Sequence, residues 1–252
     1  MKLYIITGAS RGLGAALTQA LIDPDHRLIC LARSKAPLEA LRERAKARGC
    51  DLAPLTVDLG DAGKAVAALT KALTDIDPTA CTCVCLINNA GVVEPVCMAD
   101  KLLPREIADG VHVNLVAPMA LTALFLKLTA GWQAERKVLN ISSGAAHRAY
   151  AGWSFYCATK AALDQFTRCV ALEQQELTNG ARIVSVAPGV IDTAMQEAIR
   201  RKTTEDFREL PRFVALKESG QLASPAAVAE RLLRYLARPD FGAAPVDDVR
   251  SS

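Results

Sequence analysis

Tyr156 and Lys160 stand four residues apart in "SFYCATKAAL", at the start of a segment whose apolar positions repeat with helical spacing. On a helix such a pair projects from one face. A phenol ordinarily titrates near pH ~10, too high for acid–base work at neutral pH. A neighbouring ammonium stabilises the phenolate and brings that value down. Tyrosine then becomes a proton donor for a carbonyl oxygen on its way to an alkoxide. Of four tyrosines only Tyr156 has a lysine four residues on. Alone, the pair also reads as an ordinary surface pair on a helix.

A second chemical signal is "ITGASRGLGAAL" (Ile6–Leu17), where Gly8, Gly12 and Gly14 separate a short apolar run from a helical pattern. Glycines permit a tight turn and close approach of backbone to a pyrophosphate, and the following helix offers unpaired N–H groups. A plain turn after a first strand reads the same way. Arg11 lies in this loop. Arg33 follows the second apolar run, "LICLARSK", where dinucleotide folds place an acid for a ribose hydroxyl, and no Asp or Glu occurs from Leu28 until Glu39. Two guanidinium forks suit a 2′-phosphate dianion, so NADP(H) is expected over NAD(H). The alternative is a pair of solvated surface arginines.

The elements that must position these residues alternate along the chain. Leu3–Ile6, Arg27–Ala32, Leu52–Val57, Cys83–Asn88, Lys137–Ser142 and Arg182–Ala187 are short continuous apolar runs. Such runs suit strands buried on both faces of a parallel sheet. Helical spacing fills the intervals, as in Pro37–Gly49 and Asp61–Ile76. This predicts an α/β fold: a single-domain, doubly wound, Rossmann-like parallel sheet over residues 1–252 with helices on both faces. Residues 191–220 read as an amphipathic insertion, and the tail holds at most a brief final strand.

With 51% hydrophobic and 23% charged residues, the composition suits a large core. A net charge of +3 is too small to argue for nucleic acid or a membrane surface. No apolar run of membrane-spanning length stands out, and the first residues lack the pattern of a secretory signal, so a cytoplasmic protein is expected. Eight cysteines are present, three alternating in "CTCVC" (Cys81, Cys83, Cys85). Without histidines nearby these read as small fillers on one face of a sheet, and no metal is expected.

Motif by motif, the chain resembles the short-chain dehydrogenase/reductase family over nearly its whole length. "TGASRGLG" (Thr7–Gly14) is similar to the family's cofactor loop, and "NNAG" (Asn88–Gly91) to the motif after the fourth strand. Asn114 in "HVNLVAP" matches the helix asparagine, Ser143 in "NISSG" the serine before the tyrosine, and "YCATK" the Tyr-x-x-x-Lys. "PGVIDT" (Pro188–Thr193) resembles the loop over the nicotinamide carboxamide. The resemblance implies that Tyr156 donates a proton and that Lys160 depresses its pKa and binds nicotinamide ribose hydroxyls. It also implies that Ser143 holds the substrate oxygen and that Asn114 holds a water relaying protons to Lys160. By the same resemblance Gly8, Ser10, Arg11, Gly12, Leu13, Gly14, Arg33, Asp58, Leu59, Asn89, Ala90, Gly91, Tyr156, Lys160, Pro188, Gly189, Val190 and Thr193 line the cofactor, Asp58 beside adenine. Each has a plainer reading. Asn114 could satisfy backbone at a helix kink, Ser143 could cap a turn, and Asp58 could open the next helix.

"GWSFYC", "VAPGVIDTAMQ" and "EDFRELPRFVALKESGQLASP" resemble the bacterial benzil reductases that form (S)-benzoin and, more loosely, the sepiapterin reductases. Both groups reduce one carbonyl of an α-dicarbonyl system. The expected substrate is therefore a small benzil-like 1,2-diketone, reduced to a 2-hydroxyketone. Ser143, His147, Tyr150, Trp153, Tyr156, Met195, Phe207 and Phe213 are the residues available to line an apolar slot. Residues 191–220 would be a lid over it, though Trp153 and Phe213 could simply pack lid on core. Asp247 is the candidate anchor if the substrate is a pterin. Two further readings are a non-catalytic NADP(H) sensor and a reductase of carrier-bound 3-oxoacyl chains, the latter docking on Arg200, Arg201 and Lys202, which also read as a solvated helix face. Pro118–Trp132 and Ala161–Leu177 carry apolar positions around much of their circumference. The family resemblance implies pairing of such helices between copies, so a homodimer is expected, with a monomer the alternative.

Overall fold

The computed structural model describes residues 1–250. All six apolar runs become strands: β1 Lys2–Thr7, β2 His26–Ala32, β3 Asp51–Thr56, β4 Cys83–Asn88, β5 Glu135–Ile141 and β6 Arg182–Ala187. A seventh, β7 Val246–Asp248, closes the tail. They form one sheet in the order β3-β2-β1-β4-β5-β6-β7, with every pairing parallel. Each residue of β4 is buried, which is why this strand reads as an unbroken apolar run.

The helices are α1 Gly12–Ala20, α2 Lys35–Lys46, α3 Ala62–Thr74, α4 Pro104–Val111 and α5 Ala117–Leu128. They continue with α6 Ser154–Gln175, α7 Ala194–Arg200, α8 Leu210–Glu218 and α9 Pro225–Leu236. Alternation along β1 sends Tyr4 and Ile6 to one layer and Leu3 and Ile5 to the other. On the first side Leu17 of α1, Leu38 of α2 and Leu232 of α9 complete the core. On the second, Leu69 of α3, Phe125 of α5 and Val170 of α6 do so. Asp61 caps α3 by accepting from Lys64 N at 3.0 Å, whereas Arg11, preceding α1, gives that helix no side-chain cap.

Two sequence expectations change. Cys81 lies before β4 and joins the layer opposite to Cys85, so the three cysteines do not share a face. Strand alternation begins only at Cys83. In addition, Pro104–Leu128 runs as one helix, long and apolar enough by length and composition to cross a membrane. Charged residues in its first turns hide this in the sequence. Its sheet-facing Ala117, Leu121 and Phe125 are fully buried in the core.

Strand order reverses between β2 and β4 on either side of β1. A crevice therefore opens at the carboxyl ends of β1 and β4, the usual ligand position in such sheets.

Candidate active site

Thr7 and Asn89 knit the floor of this crevice. Thr7 Oγ1 accepts from Asn89 N at 3.0 Å and Ala90 N at 3.1 Å, while Asn89 Nδ2 donates to Thr7 O at 2.9 Å. Thr7 was not singled out from the sequence, although it opens the glycine loop. Gly8 and Gly12 adopt φ of +68° and +54°, a region side chains disfavour. Across the crevice Thr193 closes on Gly12, its Cγ2 3.4 Å from where a Cβ would be. Val190 joins the aromatic cluster beyond. Leu13 and Leu59 bury their side chains in opposite layers, which leaves backbone for any ligand contact.

A nicotinamide dinucleotide fits these residues. The first turn of α1 carries no side-chain cap, so its N–H groups suit a diphosphate. Arg11 and Arg33 are exposed, and neither makes an ion pair among the described residues. Asp58, exposed beyond β3, accepts from Gly60 N at 2.9 Å. Ser10 and Gly91 are half-buried, and Pro188 is buried.

Tyr156 and Lys160 lie on the first turns of α6 and are 7% and 4% exposed. Ser143 lies close enough to the Tyr156 phenol to favour its ionised form, and its Oγ accepts from Ala145 N at 3.1 Å. Lys160 Nζ donates to Ile141 O at 2.8 Å and stands 5.8 Å from the Tyr156 ring centroid. The electrostatics differ from the simple pair argument. Burial pushes Tyr156 up to about 12, only partly offset by Ser143. Burial likewise brings Lys160 down to about 8, opposed by Asp164. The Lys160 ammonium bonds a carbonyl rather than the phenol, and desolvation sets the direction of both shifts.

Asn114 sits in one wide turn, His112–Val116, that joins α4 to α5. Such turns recur at functional positions. Its side chain makes a reciprocal pair with Val92, accepting from N and donating to O, both at 2.8 Å, and reaches Thr159 Oγ1 at 3.2 Å. A Cβ on Gly91 would lie 3.4 Å from Asn114 Oδ1 and 3.6 Å from Lys160 Nζ. Asn114 and Lys160 thus converge over a bare backbone.

The aromatic candidates separate into two groups. Trp153 stacks on Phe207 with centroids 4.6 Å apart and meets Tyr150, Tyr156 and Phe213 edge-on. Trp153, Phe207 and Phe213 are buried, Phe207 completely, so these rings pack residues 191–220 onto the site. Tyr150 and Met195 are partly buried at the edge of the cluster. His147 stands apart, with Nε2 3.3 Å from Asp164 Oδ2. It lines a separate cavity of about 390 Å³ with Arg168, Asp247 and Asp248. Nothing in the spacing of "GAAHRAY" shows which way that ring turns.

A buried phenol beside a crevice that fits a dinucleotide suits hydride exchange with a carbonyl. Fold and site together define a dinucleotide-dependent oxidoreductase. A family model described as short chain dehydrogenase matches residues 2–204. A benzil reductase ((S)-benzoin forming) of Bacillus cereus is 39% identical over 241 residues, covering 96% of each chain. A sepiapterin reductase of Xenopus tropicalis is 32% identical, over 93% of this chain and 90% of its own. Among solved structures, the KRED1-Pglu enzyme superposes with a TM-score of 0.83 at 28% identity, covering 96% of this chain and 98% of that one. The chain belongs to the short-chain dehydrogenase family. It is an oxidoreductase acting on CH–OH and C=O groups, with a nicotinamide cofactor.

Proposed function

We propose that the protein is an NADPH-dependent reductase of vicinal dicarbonyls, converting one carbonyl of a benzil-like 1,2-diketone to the 2-hydroxyketone. The observation that carries this is the burial of Tyr156 in an aromatic cluster, with Ser143 beside its phenol and Lys160 buried one turn further along α6. The likeness to benzil reductases supports the substrate class.

When bound, the nicotinamide supplies the hydride. Ser143 holds the substrate oxygen, and Tyr156 gives its phenolic proton to that oxygen as negative charge develops. A phenol kept neutral by burial is ready for the reductive direction. Lys160 holds positive charge beneath the phenol and steadies it as the proton leaves. Asn114 fixes the Val92 backbone and the floor beneath Lys160. Arg11 and Arg33 bind a 2′-phosphate, and Tyr150 and Met195 line the opening. Residues 191–220 act as the lid, latched by Lys202 to Glu94 at 3.1 Å and by Asp206 to Lys101 at 3.5 Å. The exposed Leu172, Leu177 and Met119 on and beside α5 and α6 form the contact face of a homodimer.

Incubating the protein with benzil and NADPH, following nicotinamide absorbance and resolving product enantiomers, tests the reading. Cofactor consumption with benzoin formation is expected. Binding without consumption would instead fit a sensor, and turnover confined to pterins would redirect the substrate assignment.

A further inference from the structure

The buried stripe of α6 does not stop at Lys160. Asp164 lies one turn further along the same face and is 1% exposed, beside Tyr156 and Lys160. A buried carboxylate is costly unless paired and hydrogen-bonded. Ser185 Oγ on β6 donates to Asp164 Oδ1 at 2.6 Å. His147, from the turn after β5, brings Nε2 to 3.3 Å from Oδ2 and is half exposed to solvent. Lys160 has complementary needs. Its ammonium is buried, and the hydrogen bond it donates goes to the neutral carbonyl of Ile141.

We propose that Asp164 is a positioning residue that keeps Lys160 charged, held on one side by Ser185 and screened from solvent on the other by His147. This rests on the role given to Lys160 above. Electrostatics agree, since the carboxylate opposes the fall that burial imposes on Lys160. The other charged groups around the arrangement are Arg168 on α6 and Asp247 and Asp248 on β7, which line the cavity with His147. Arg250 is paired to Asp248. Lys160 and Asp164, one turn apart on the same helix face, are the buried charges, and the rest sit at the solvent end.

The test is the pH profile of kcat/KM for NADPH-dependent diketone reduction by the whole protein. In Asp164→Asn the alkaline limb should move down by about one pH unit, as expected when an opposite charge nearby is removed. Asp164→Glu should restore it. His147→Lys places a fixed cation at a half-exposed position against Oδ2 and should move the limb in the same direction, so the idea stays testable if the Asn variant does not fold. The ammonium titration of Lys160, followed by nuclear magnetic resonance on isotope-labelled lysine, should fall in parallel without any need for turnover. Variants that lower kcat yet leave both the limb and the lysine titration in place would overturn the proposal and reduce Asp164 to packing. Absence of diketone turnover in the unaltered protein would instead count against the proposed function, while the lysine titration would still judge Asp164.

Discussion

Gly14 lies directly against Gly8: a Cβ built on Gly14 would come within 2.2 Å of the Gly8 carbonyl oxygen and 2.5 Å of Asn89 Nδ2. Both are fixed by backbone or by hydrogen bonds to β1, so neither can move aside cheaply. Gly14→Ala should distort the loop and weaken NADPH binding at least roughly tenfold, about 1.4 kcal/mol, as measured by fluorescence titration. Unchanged affinity would show that the loop does not carry the dinucleotide.

Tyr156→Phe removes the phenolic proton but keeps the ring packed on Trp153. Turnover should fall on the order of a hundred- to ten-thousand-fold, the range for losing a general acid. NADPH affinity should remain. Retention of reductase activity would exclude Tyr156 as the donor.

The pH dependence follows from the two buried groups. The proposed mechanism of reduction needs Tyr156 neutral and Lys160 charged. Tyr156, pushed up to about 12, stays protonated across the working range, whereas Lys160, held near about 8, loses its proton first. The rate of reduction should be level below that point and decline as pH rises through it. A profile that keeps its plateau through the alkaline range would mean that Lys160 charge is not required.

Arg33 stands exposed at the end of β2, without an acidic partner among the described residues. Arg33→Ala should weaken NADPH roughly ten- to a hundredfold, the scale of one charge-assisted hydrogen bond, and leave NADH nearly unaffected. Equal losses with both cofactors would argue against 2′-phosphate recognition.

Phe207 is fully buried against Trp153 and Phe213. Phe207→Ala should destabilise the protein by about 3 to 5 kcal/mol if the cavity stays open, measured by denaturant unfolding, and should raise KM for diketone by loosening residues 191–220. A change limited to a few tenths of a kcal/mol would show that the cluster adds little to the fold.

Sheet and loop were legible because their signals are local. Parallel strands buried on both faces read as continuous apolar runs, and the bare turn at Gly8 to Gly14 precedes a helix. Spacing also gave Tyr156 and Lys160 a shared face. It could not give the depth at which they lie, and depth reverses the expected direction of the Tyr156 shift. Direction was equally hidden for His147, whose ring turns towards Asp164, and for Asn114, whose partner Val92 is far away in sequence. Asp164 itself had a visible signal, the continuation of the 156, 160 series by one more turn, but only burial makes that pattern meaningful.

The eight cysteines have a practical consequence. Cys30, Cys50, Cys81, Cys83 and Cys85 are buried, and burial pushes each of these thiols up, away from the reactive thiolate. Cys97 and Cys157 are partly covered, and Cys169 alone is exposed. A maleimide dye should therefore label the separate chain first at Cys169, and pairing of copies across the neighbouring Leu172 should slow that labelling.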